Sequence, residues 1–393
     1  MYKRHYSKFL RADPNRLHFA AHSHHYWPDI TRDAVLEYWD QSALLADLKW
    51  EVIFERIIPK AQARIARVLD LDRPDGIAFA PNTHEFVIRL LSSFDWSRPL
   101  RILTTDGEFH SFTRQINRLS ELDTVTVTRI PTIPLETFES RFKSVCAERD
   151  FDLVFFSQVF FDSGYVIRDL EKMVESVKSD KTVVVIDGYH AFLAIPTTLR
   201  AIRDRVFYLA GGYKYCQSGE GVCFMHIPRG CRLRPIDTGW FAAFDRMEGE
   251  QSDVVQYSDN AYRFWGATFD PSGIYRFNAV MDWMDRENLS IEVVHDYVGQ
   301  LQKRFLEGIQ KLASPVFCDK NLLIQNPVGE RAHFITFRLG NTGRVAQALK
   351  RANIIVDYRG DRLRFGFGLY QSVKDVDALI ERVDILHNQG ELG

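Results

Sequence analysis

The chain has 393 residues, a formal net charge of −2 and 46% hydrophobic residues. This length favours two domains, and so apolar a composition excludes a disordered protein. Acidic and basic residues are interspersed, which excludes a strongly basic surface for nucleic acid or for a membrane.

The five cysteines contain no C-x-x-C pair. This argues against a disulfide framework or a zinc knuckle and favours a reducing compartment. The N-terminus has no apolar signal core, and no apolar run is long enough to span a bilayer. We therefore expect a cytoplasmic protein.

Helices are expected over residues 31–70, where Ile57 and Ile58 end one helix, Pro59 interrupts, and AQARIARVLDL begins the next. Short apolar runs then alternate with amphipathic stretches. Most of these runs are apolar throughout, which is typical of strands buried on both faces of a sheet. The predicted strands are RILTTD (101–106), VTVTRI (125–130), DLVFFS (152–157), TVVVID (182–187) and VFYLAG (206–211).

A helical repeat at Leu170, Met173, Val174 and Val177 predicts a crossover helix between two of these strands, and hence a mostly parallel α/β sheet. The C-terminal pattern is β-α-β-β-α and predicts a small separate domain. Its last helix begins with Ser372 and Asp375 as a capping box. We predict an N-terminal segment (1–30) that packs with the small domain or a dimer partner, a large domain (31–275) and a small domain (276–393).

A lysine between two tyrosines is the most unusual local feature. In LAGGYKYCQSGEGV, Lys214 lies between Tyr213 and Tyr215 and is bordered by glycine-rich turns. Asp187 ends the strand TVVVID, although alone it also fits a turn-forming residue before Gly188. If both strands are parallel, Asp187 and Lys214 project from the sheet edge where α/β proteins bind ligands. A buried lysine beside a buried acid is costly unless the pair has a function.

Pyridoxal 5′-phosphate (PLP) requires both groups. It needs a lysine for covalent attachment and an acid that keeps its pyridine nitrogen protonated, so that the ring withdraws electrons. Its phosphate is usually bound at a helix N-terminus. The stretch APNTHEFVIRLL supplies one, with Asn82 and Glu85 as a capping box and with Asn82 and Thr83 as phosphate donors. PLP is therefore the predicted cofactor.

The order of these residues along the chain resembles kynureninase and its relatives in the class V aminotransferase group of fold-type I PLP enzymes. The resemblance extends from about residue 17 to the C-terminus. It implies the fold-type I transferase fold, with a large, mostly parallel sheet domain and a small C-terminal α+β domain. The matching residues are Thr83, Phe109, Asp187-x-x-His190, Tyr213-Lys214-Tyr215 and Arg364.

The resemblance also implies a role for each cofactor-site residue. Lys214 would hold PLP and move the α-proton of the substrate. Tyr213 would bind the phosphate and assist proton transfer, and Asp187 would pair with the pyridine nitrogen. The remaining cofactor contacts would come from Asn82, Thr83, His190 and Phe109, whose ring would stack on the pyridine.

By the same resemblance the protein is a homodimer with shared active sites, in which Trp240 and Thr268 reach the cofactor of the neighbouring subunit. Arg364 would bind the α-carboxylate of an amino-acid substrate, and Ser23 would lie in the substrate pocket. From its own context, Arg364 fits equally well an arginine at the exposed edge of a strand.

The chain departs from the kynureninase pattern around the substrate. The segment G-N-S is replaced by AHSHHYWP, in which only Ser23 keeps its place. The acidic residue that follows the stacking Phe is replaced by Phe112. The family's Pro-Leu-Tyr is Gly368-Leu369-Tyr370 and lies one residue early. These positions line or support the substrate pocket, so the cofactor prediction stands and the side chain of the substrate stays open.

Two other kinds of site, a zinc site and a cysteine desulfurase site, are disfavoured. His22, His24 and His25 suggest a zinc site, but no acidic or cysteine ligand lies at suitable spacing, so we predict no metal and place these histidines at the pocket mouth. Cysteine desulfurase chemistry needs a mobile catalytic cysteine. Cys318 is the only one outside the core strands, and its surroundings, SPVFCDKN, do not match.

The leading interpretation is hydrolytic Cβ–Cγ cleavage of L-kynurenine or a related β-acyl amino acid, which releases alanine. The alternative is a class V aminotransferase, or another PLP-dependent β- or α-cleavage enzyme with a different amino-acid substrate. The intact Lys214, Asp187 and Tyr213 disfavour a non-catalytic ligand-binding protein. A nicotinamide enzyme is disfavoured because no G-x-G-x-x-G follows an early strand.

Overall fold

The computed structural model describes residues 2–246, 254–325 and 331–392. Its helices are α1 (Ser7–Ala12), α2 (Ile30–Leu45), α3 (Lys49–Val52), α4 (Ile58–Leu69), α5 (Thr83–Leu91), α6 (His110–Leu119), α7 (Leu135–Glu148), α8 (Leu170–Glu175), α9 (Ser272–Arg286), α10 (Ile291–Lys311), α11 (Thr342–Arg351) and α12 (Val373–Asn388). Its strands are β1 (Leu17–His18), β2 (Ile77–Ala80), β3 (Leu100–Thr105), β4 (Val125–Ile130), β5 (Leu153–Ser157), β6 (Val183–Asp187), β7 (Val206–Gly211), β8 (Cys223–His226), β9 (Phe334–Arg338), β10 (Ile354–Ile355), β11 (Asp357–Arg359) and β12 (Arg362–Gly366).

A large sheet with the order β2-β8-β7-β6-β5-β3-β4 forms the centre of the molecule. The strands from β3 to β7 are parallel, whereas β8 is antiparallel to both β7 and β2. Every residue of β5 and β7 is buried, as their uniformly apolar sequences predict for strands covered on both faces. The five strands predicted from the sequence are confirmed to within one residue, and so is the mostly parallel α/β fold.

The helical predictions are confirmed with two changes of detail. The predicted crossover helix is α8, which is shorter than its apolar repeat because it ends at Glu175. The predicted interruption at Pro59 is wrong. Pro59 lies in the first turn of α4, directly after a π-helical turn at Ile53–Ile57, and the helical path continues through it.

A second, smaller core is formed by the C-terminal part of the chain. Strands β9, β11 and β12 make an antiparallel sheet with the order β11-β12-β9. Apolar residues of α10, α11 and α12 pack against it. The predicted capping box of Ser372 and Asp375 is present at the start of α12. Strand β1 pairs with β10, so the N-terminal segment contacts this region. The division of the chain at residues 30 and 275 stays a prediction.

The parallel strands place their last residues along one edge of the large sheet. Ser157 at the end of β5 is opposite Asp187 at the end of β6, and Asp187 is opposite Leu209 of β7. Polar residues that follow these strands therefore converge at this edge. Within the described ranges, no helix is long and apolar enough to cross a membrane.

Candidate active site

Lys214 follows β7 at this edge and is only 5% exposed. Its Nζ atom lies 3.0 Å from His190 Nε2. The same atom lies 4.7 Å from the centroid of the Tyr189 ring and 5.3 Å from that of Phe109. Burial lowers the pKa of Lys214 to about 7, although the nearby Asp187 carboxylate acts in the opposite direction. A lysine with such a pKa is neutral often enough to act as a nucleophile and a base.

Asp187 ends β6, the strand next to β7. Asp187 and Lys214 therefore lie at the same edge of the sheet, as predicted. Its Oδ1 atom accepts a hydrogen bond from the backbone N–H of Tyr189 at 2.9 Å. Burial raises the pKa of Asp187, and the field of Lys214 opposes this change. Burial therefore favours the neutral form of both groups until a ligand brings further charge into the site.

Glu108 is a second buried carboxyl near Asp187 that the sequence analysis overlooked. It is 3% exposed and accepts hydrogen bonds from the Ser157 and Thr105 hydroxyl groups, each at 2.6 Å. Burial, with a smaller contribution from the Asp187 carboxylate, raises the pKa of Glu108 to about 8, although the two hydroxyl hydrogen bonds act in the opposite direction. Glu108 is thus protonated near neutral pH. Its place immediately before Phe109, after the end of β3, is the only signal that the sequence offers.

The predicted phosphate site lies at the N-terminus of α5. The Asn82 side chain accepts a hydrogen bond from the backbone N–H of Glu85 at 3.0 Å, so Asn82 is the N-cap as predicted. The backbone N–H of Thr83 faces the Cys223 thiol. The Tyr189 hydroxyl is 3.5 Å from the same sulfur atom. Tyr189 therefore connects the N-terminus of this helix with the surroundings of Lys214.

Tyr213 lies next to Tyr189, on the same side of the reactive amine. Its ring centroid is 5.6 Å from Lys214 Nζ and 5.0 Å from the centroid of Tyr189. Its ring also stacks on His24 at 5.0 Å. Burial raises the pKa of Tyr213 to about 12. The hydroxyl thus keeps its proton and can donate a hydrogen bond.

Arg364 lies in β12 and is 3% exposed, which excludes the alternative of a surface strand arginine. Its two terminal nitrogens donate to the carboxylate of Asp357, directly opposite on β11, and to the carbonyl of Phe161. Its Nε atom has no partner among the described residues. The positive charge of Arg364 also lowers the pKa of Lys214, so the two residues interact electrostatically.

The three N-terminal histidines do not share one environment. His22 and His25 are 1% and 3% exposed, whereas the His24 side chain is 68% exposed. The prediction that all three line the pocket mouth is therefore wrong for His22 and His25, because the N-terminal segment packs into the molecule instead of over it. The Ser23 hydroxyl is 3.4 Å from His24 Nδ1, at the outer side of this segment. The described ranges hold no group of three potential metal ligands.

Trp240 and Thr268 line a groove that none of these residues lines. With Trp50, Phe54 and Phe244 they line an apolar groove of about 490 Å³. The Trp240 side chain is 46% exposed although it contacts Phe241, with ring centroids 4.1 Å apart. Within one chain the structure thus brings together Lys214, Asp187, His190, Phe109, Tyr213 and Arg364, but not Trp240 and Thr268.

These groups fit PLP. The site combines a buried amine whose pKa is near 7, an acid on the adjacent strand and a capped helix N-terminus. Several buried polar atoms around the amine also lack a partner in the described part of the chain: both ring nitrogens of His22, Arg364 Nε and the Tyr215 hydroxyl. Such atoms are rare unless a ligand or water binds them. Lys214 would bind the cofactor covalently, and Asp187 would bind its pyridine nitrogen.

The family comparison agrees with this chemistry. A family model described as aminotransferase class-V matches residues 46–379. A comparison with curated protein sequences gives no significant match.

Solved structures with the same fold cover nearly the whole chain. A cysteine desulfurase from Thermococcus onnurineus NA1 is 16% identical, with a TM-score of 0.79 over 97% of this chain and 98% of that chain. The cystine C-S lyase C-DES, in complex with cysteine persulfide, is 16% identical, with a TM-score of 0.80 over 95% and 99%. A lysine variant of C-DES, with glycine covalently linked to its PLP cofactor, is 17% identical, with a TM-score of 0.82 over 97% and 98%.

Proposed function

Because the chain belongs to the class V aminotransferase family and is a PLP-dependent enzyme, we propose that it removes the α-proton of a free amino acid and then transfers the amino group or cleaves a side-chain bond. One observation carries this proposal. Lys214 is a buried amine with a pKa of about 7, held by His190 at the sheet edge where Asp187 also lies. No structural role requires such an amine, because an unpaired buried lysine destabilises a fold.

Four residues of the site have separate roles in this reaction. PLP, when bound, would supply an electron-withdrawing ring for the bonds of the α-carbon. Asp187 would keep its pyridine nitrogen protonated. Lys214 Nζ takes the α-proton. His190 is neutral, because burial and the Lys214 charge lower its pKa, so it accepts a hydrogen bond from Nζ and orients the amine. Tyr213, whose hydroxyl keeps its proton, would donate a hydrogen bond to the phosphate.

The cysteines argue against a desulfurase that carries sulfur on its own thiolate. Burial raises the pKa of Cys216 well above its usual value and that of Cys223 to about 12, so both remain thiols. Cys318 Sγ contacts the Pro315 carbonyl at 3.5 Å, between α10 and β9. Amino-group transfer and cleavage at the β-carbon need no enzyme thiolate. We therefore favour these two reactions.

Kynureninase-type hydrolysis is the second candidate. Its support is Tyr213, whose ring lies 5.6 Å from Lys214 Nζ and whose hydroxyl keeps its proton. The comparisons give this specificity no support, since none of the three structures described above is a kynureninase. In addition, Phe112 stacks on Phe155 with ring centroids 3.6 Å apart, so the position of the family's acidic residue is apolar core here.

We further propose a cytoplasmic homodimer with shared active sites. Large apolar side chains are exposed on α2 and on the turn that follows it, and the groove beside Trp240 is lined mainly by aromatic rings. Surfaces of this kind are unfavourable in a monomer unless another chain covers them. The exposed side chains are Trp39 (67%), Leu44 (82%) and Leu48 (61%).

Two measurements test the function. Borohydride reduction followed by peptide mapping is expected to place PLP on Lys214. The reduced adduct should be lost in Lys214→Ala and kept in the control Lys172→Ala, whose side chain is 68% exposed. PLP on another lysine would refute the site.

Products from a panel of amino acids then decide the reaction. A keto acid with the cofactor in its pyridoxamine form identifies an aminotransferase. A keto acid with ammonia and retained PLP identifies β-cleavage. Alanine and anthranilate from L-kynurenine identify hydrolysis, and no turnover of any amino acid contradicts the proposal.

A further inference from the structure

His22 is a buried histidine inside the site that the proposed chemistry does not use. It is 1% exposed, and neither ring nitrogen has a partner among the described residues. Burial lowers the pKa of His22 well below its usual value, and Arg364, His190 and Lys214 lower it further. The ring is therefore neutral, with one N–H donor that no protein group accepts. A buried donor without an acceptor is destabilising, so a ligand is the expected partner.

The shape of β12 brings His22 beside Arg364. Alternate residues of a strand face the same side, so Arg364 and Gly366 share one face of β12. Gly366 has no side chain, and the imidazole of His22 takes that place. A Cβ atom on Gly366 would lie 2.2 Å from His22 Nδ1. The His22 ring also stacks on Phe334 with centroids 4.6 Å apart, and the backbone N–H of Gly366 donates to the Phe19 carbonyl at 2.7 Å.

The position of the ring selects one of its nitrogens as the donor. Nδ1 is packed against Gly366 and cannot receive a ligand without displacing the backbone. Nε2 lies 3.8 Å from Asp357 Oδ2, which is too far for a hydrogen bond but favours the proton on Nε2. Asp357 itself already binds Arg364 and, at 3.0 Å, Arg359.

The space between Arg364 Nε and His22 Nε2 is best suited to a carboxylate group. Each terminal nitrogen of Arg364 already donates once, to Asp357 or to the Phe161 carbonyl, and Nε is the guanidinium nitrogen that has no partner among the described residues. Besides burial, Arg364 and then His190 and Lys214 lower the pKa of His22, so positive charge lies near the ring although the Asp357 carboxylate is 3.8 Å away. An anionic group with two acceptor oxygens can therefore take one hydrogen bond from Arg364 Nε and a second from His22 Nε2.

We propose that His22 is a substrate-binding residue that donates a hydrogen bond from Nε2 to the α-carboxylate of the amino-acid substrate, beside Arg364. This inference rests on the proposed function and assigns the recognition of the carboxylate to two residues from different parts of the chain. It also gives the N-terminal segment a role in selecting amino acids over the corresponding amines.

The test compares a ligand with and without the carboxylate. L-alanine and ethylamine differ only in that group, and the absorbance change of the bound cofactor reports the affinity of each. The wild-type enzyme is expected to bind L-alanine more tightly than ethylamine. His22→Ala should reduce this ratio by about tenfold while the ethylamine affinity stays the same.

Two amide variants locate the donor. The Gln amide nitrogen can reach the place of Nε2, whereas the Asn amide reaches the place of Nδ1. His22→Gln should therefore keep most of the ratio, and His22→Asn should lose it as His22→Ala does. These two variants are similar in volume and polarity, so they keep the test decisive if the Ala variant folds poorly. His387→Gln, on the last turn of α12, is the control and should match the wild type.

The possible failures are distinguishable. If the wild-type cofactor spectrum does not respond to any amino acid, the proposed function itself fails. If the wild type prefers L-alanine and all three His22 variants keep that preference, the His22 proposal is overturned and the function remains. Equal affinity of the wild type for L-alanine and ethylamine overturns the carboxylate site. Loss of the preference in His22→Gln with retention in His22→Asn would overturn the assignment to Nε2.

Discussion

The Tyr189 side chain occupies the space in which a side chain at Gly211 would lie, since a Cβ atom on Gly211 would be 2.3 Å from the Tyr189 hydroxyl oxygen. The Tyr189 ring can reach past β7 to the Cys223 thiol only because residue 211 has no side chain. The same ring lies 4.7 Å from Lys214 Nζ. A glycine at the end of a strand thus fixes an aromatic wall of the site.

Substitution of Gly211 should disturb the site through this contact. Gly211→Ala is expected to displace Tyr189, to lower the free energy of unfolding by about 1–3 kcal/mol and to weaken PLP binding. Urea unfolding and a fluorescence titration with PLP measure the two effects. Gly340→Ala is the control, because a Cβ atom there would meet nothing within 4 Å. Unchanged PLP affinity in Gly211→Ala would contradict this role.

Sequence reasoning identified the parts of the site that follow from local pattern. The apolar runs predicted β6 and β7, and their parallel pairing brought Asp187 and Lys214 together. Asn82 as a helix cap could likewise be predicted from a few adjacent residues.

The contacts that could not be predicted join distant parts of the chain, even where one residue, such as His22, had been singled out. His22 is placed by Gly366, 344 positions later in the sequence numbering. Tyr189 depends on Gly211, and Asp357 is brought to Arg364 by the register of β11 and β12. Composition and periodicity carry no information on such pairs, because each partner alone looks ordinary.

Asp187→Asn should separate cofactor binding from catalysis. The amide oxygen of Asn can still accept the hydrogen bond from the Tyr189 backbone N–H, so the local fold is expected to persist. A neutral amide cannot hold the pyridine nitrogen protonated, and the ring then withdraws electrons less well. We expect PLP content close to that of the wild type and at least a tenfold loss of kcat, or about 1.4 kcal/mol in the barrier. Near-normal turnover would show that the acid is structural.

Glu108→Gln should change the pH dependence of stability. The pKa of Glu108 is raised from its usual value of 4.5 to about 8 in the fold, so between these values the folded protein holds a proton that the unfolded chain has lost. The contribution of Glu108 to stability is therefore present at low pH and is lost as the pH rises from 4.5 to 8.

Glutamine mimics the protonated acid and removes this dependence. Relative to the variant, the wild type should lose up to about 1.4 kcal/mol of unfolding free energy per pH unit in that range. Urea unfolding at pH 5.5 and 7.5 measures the difference. Glu121→Gln, at an exposed side chain, should follow the wild type. Parallel pH profiles of the wild type and Glu108→Gln would show that Glu108 is ionised in the fold.

Shared active sites can be tested by mixing inactive subunits. If Thr268 acts on the partner's cofactor, a hybrid of Lys214→Ala and Thr268→Ala subunits has one intact site, formed by Lys214 of the second chain and Thr268 of the first. With random exchange about half of the dimers are hybrids, so the mixture should recover up to about a quarter of wild-type activity. Lys214→Ala mixed with Asp187→Ala is the control. Both of these residues belong to one subunit's site, so that mixture should remain inactive. If Thr268→Ala is inactive by itself and the two mixtures behave equally, with subunit exchange shown by mass spectrometry, the shared site is contradicted.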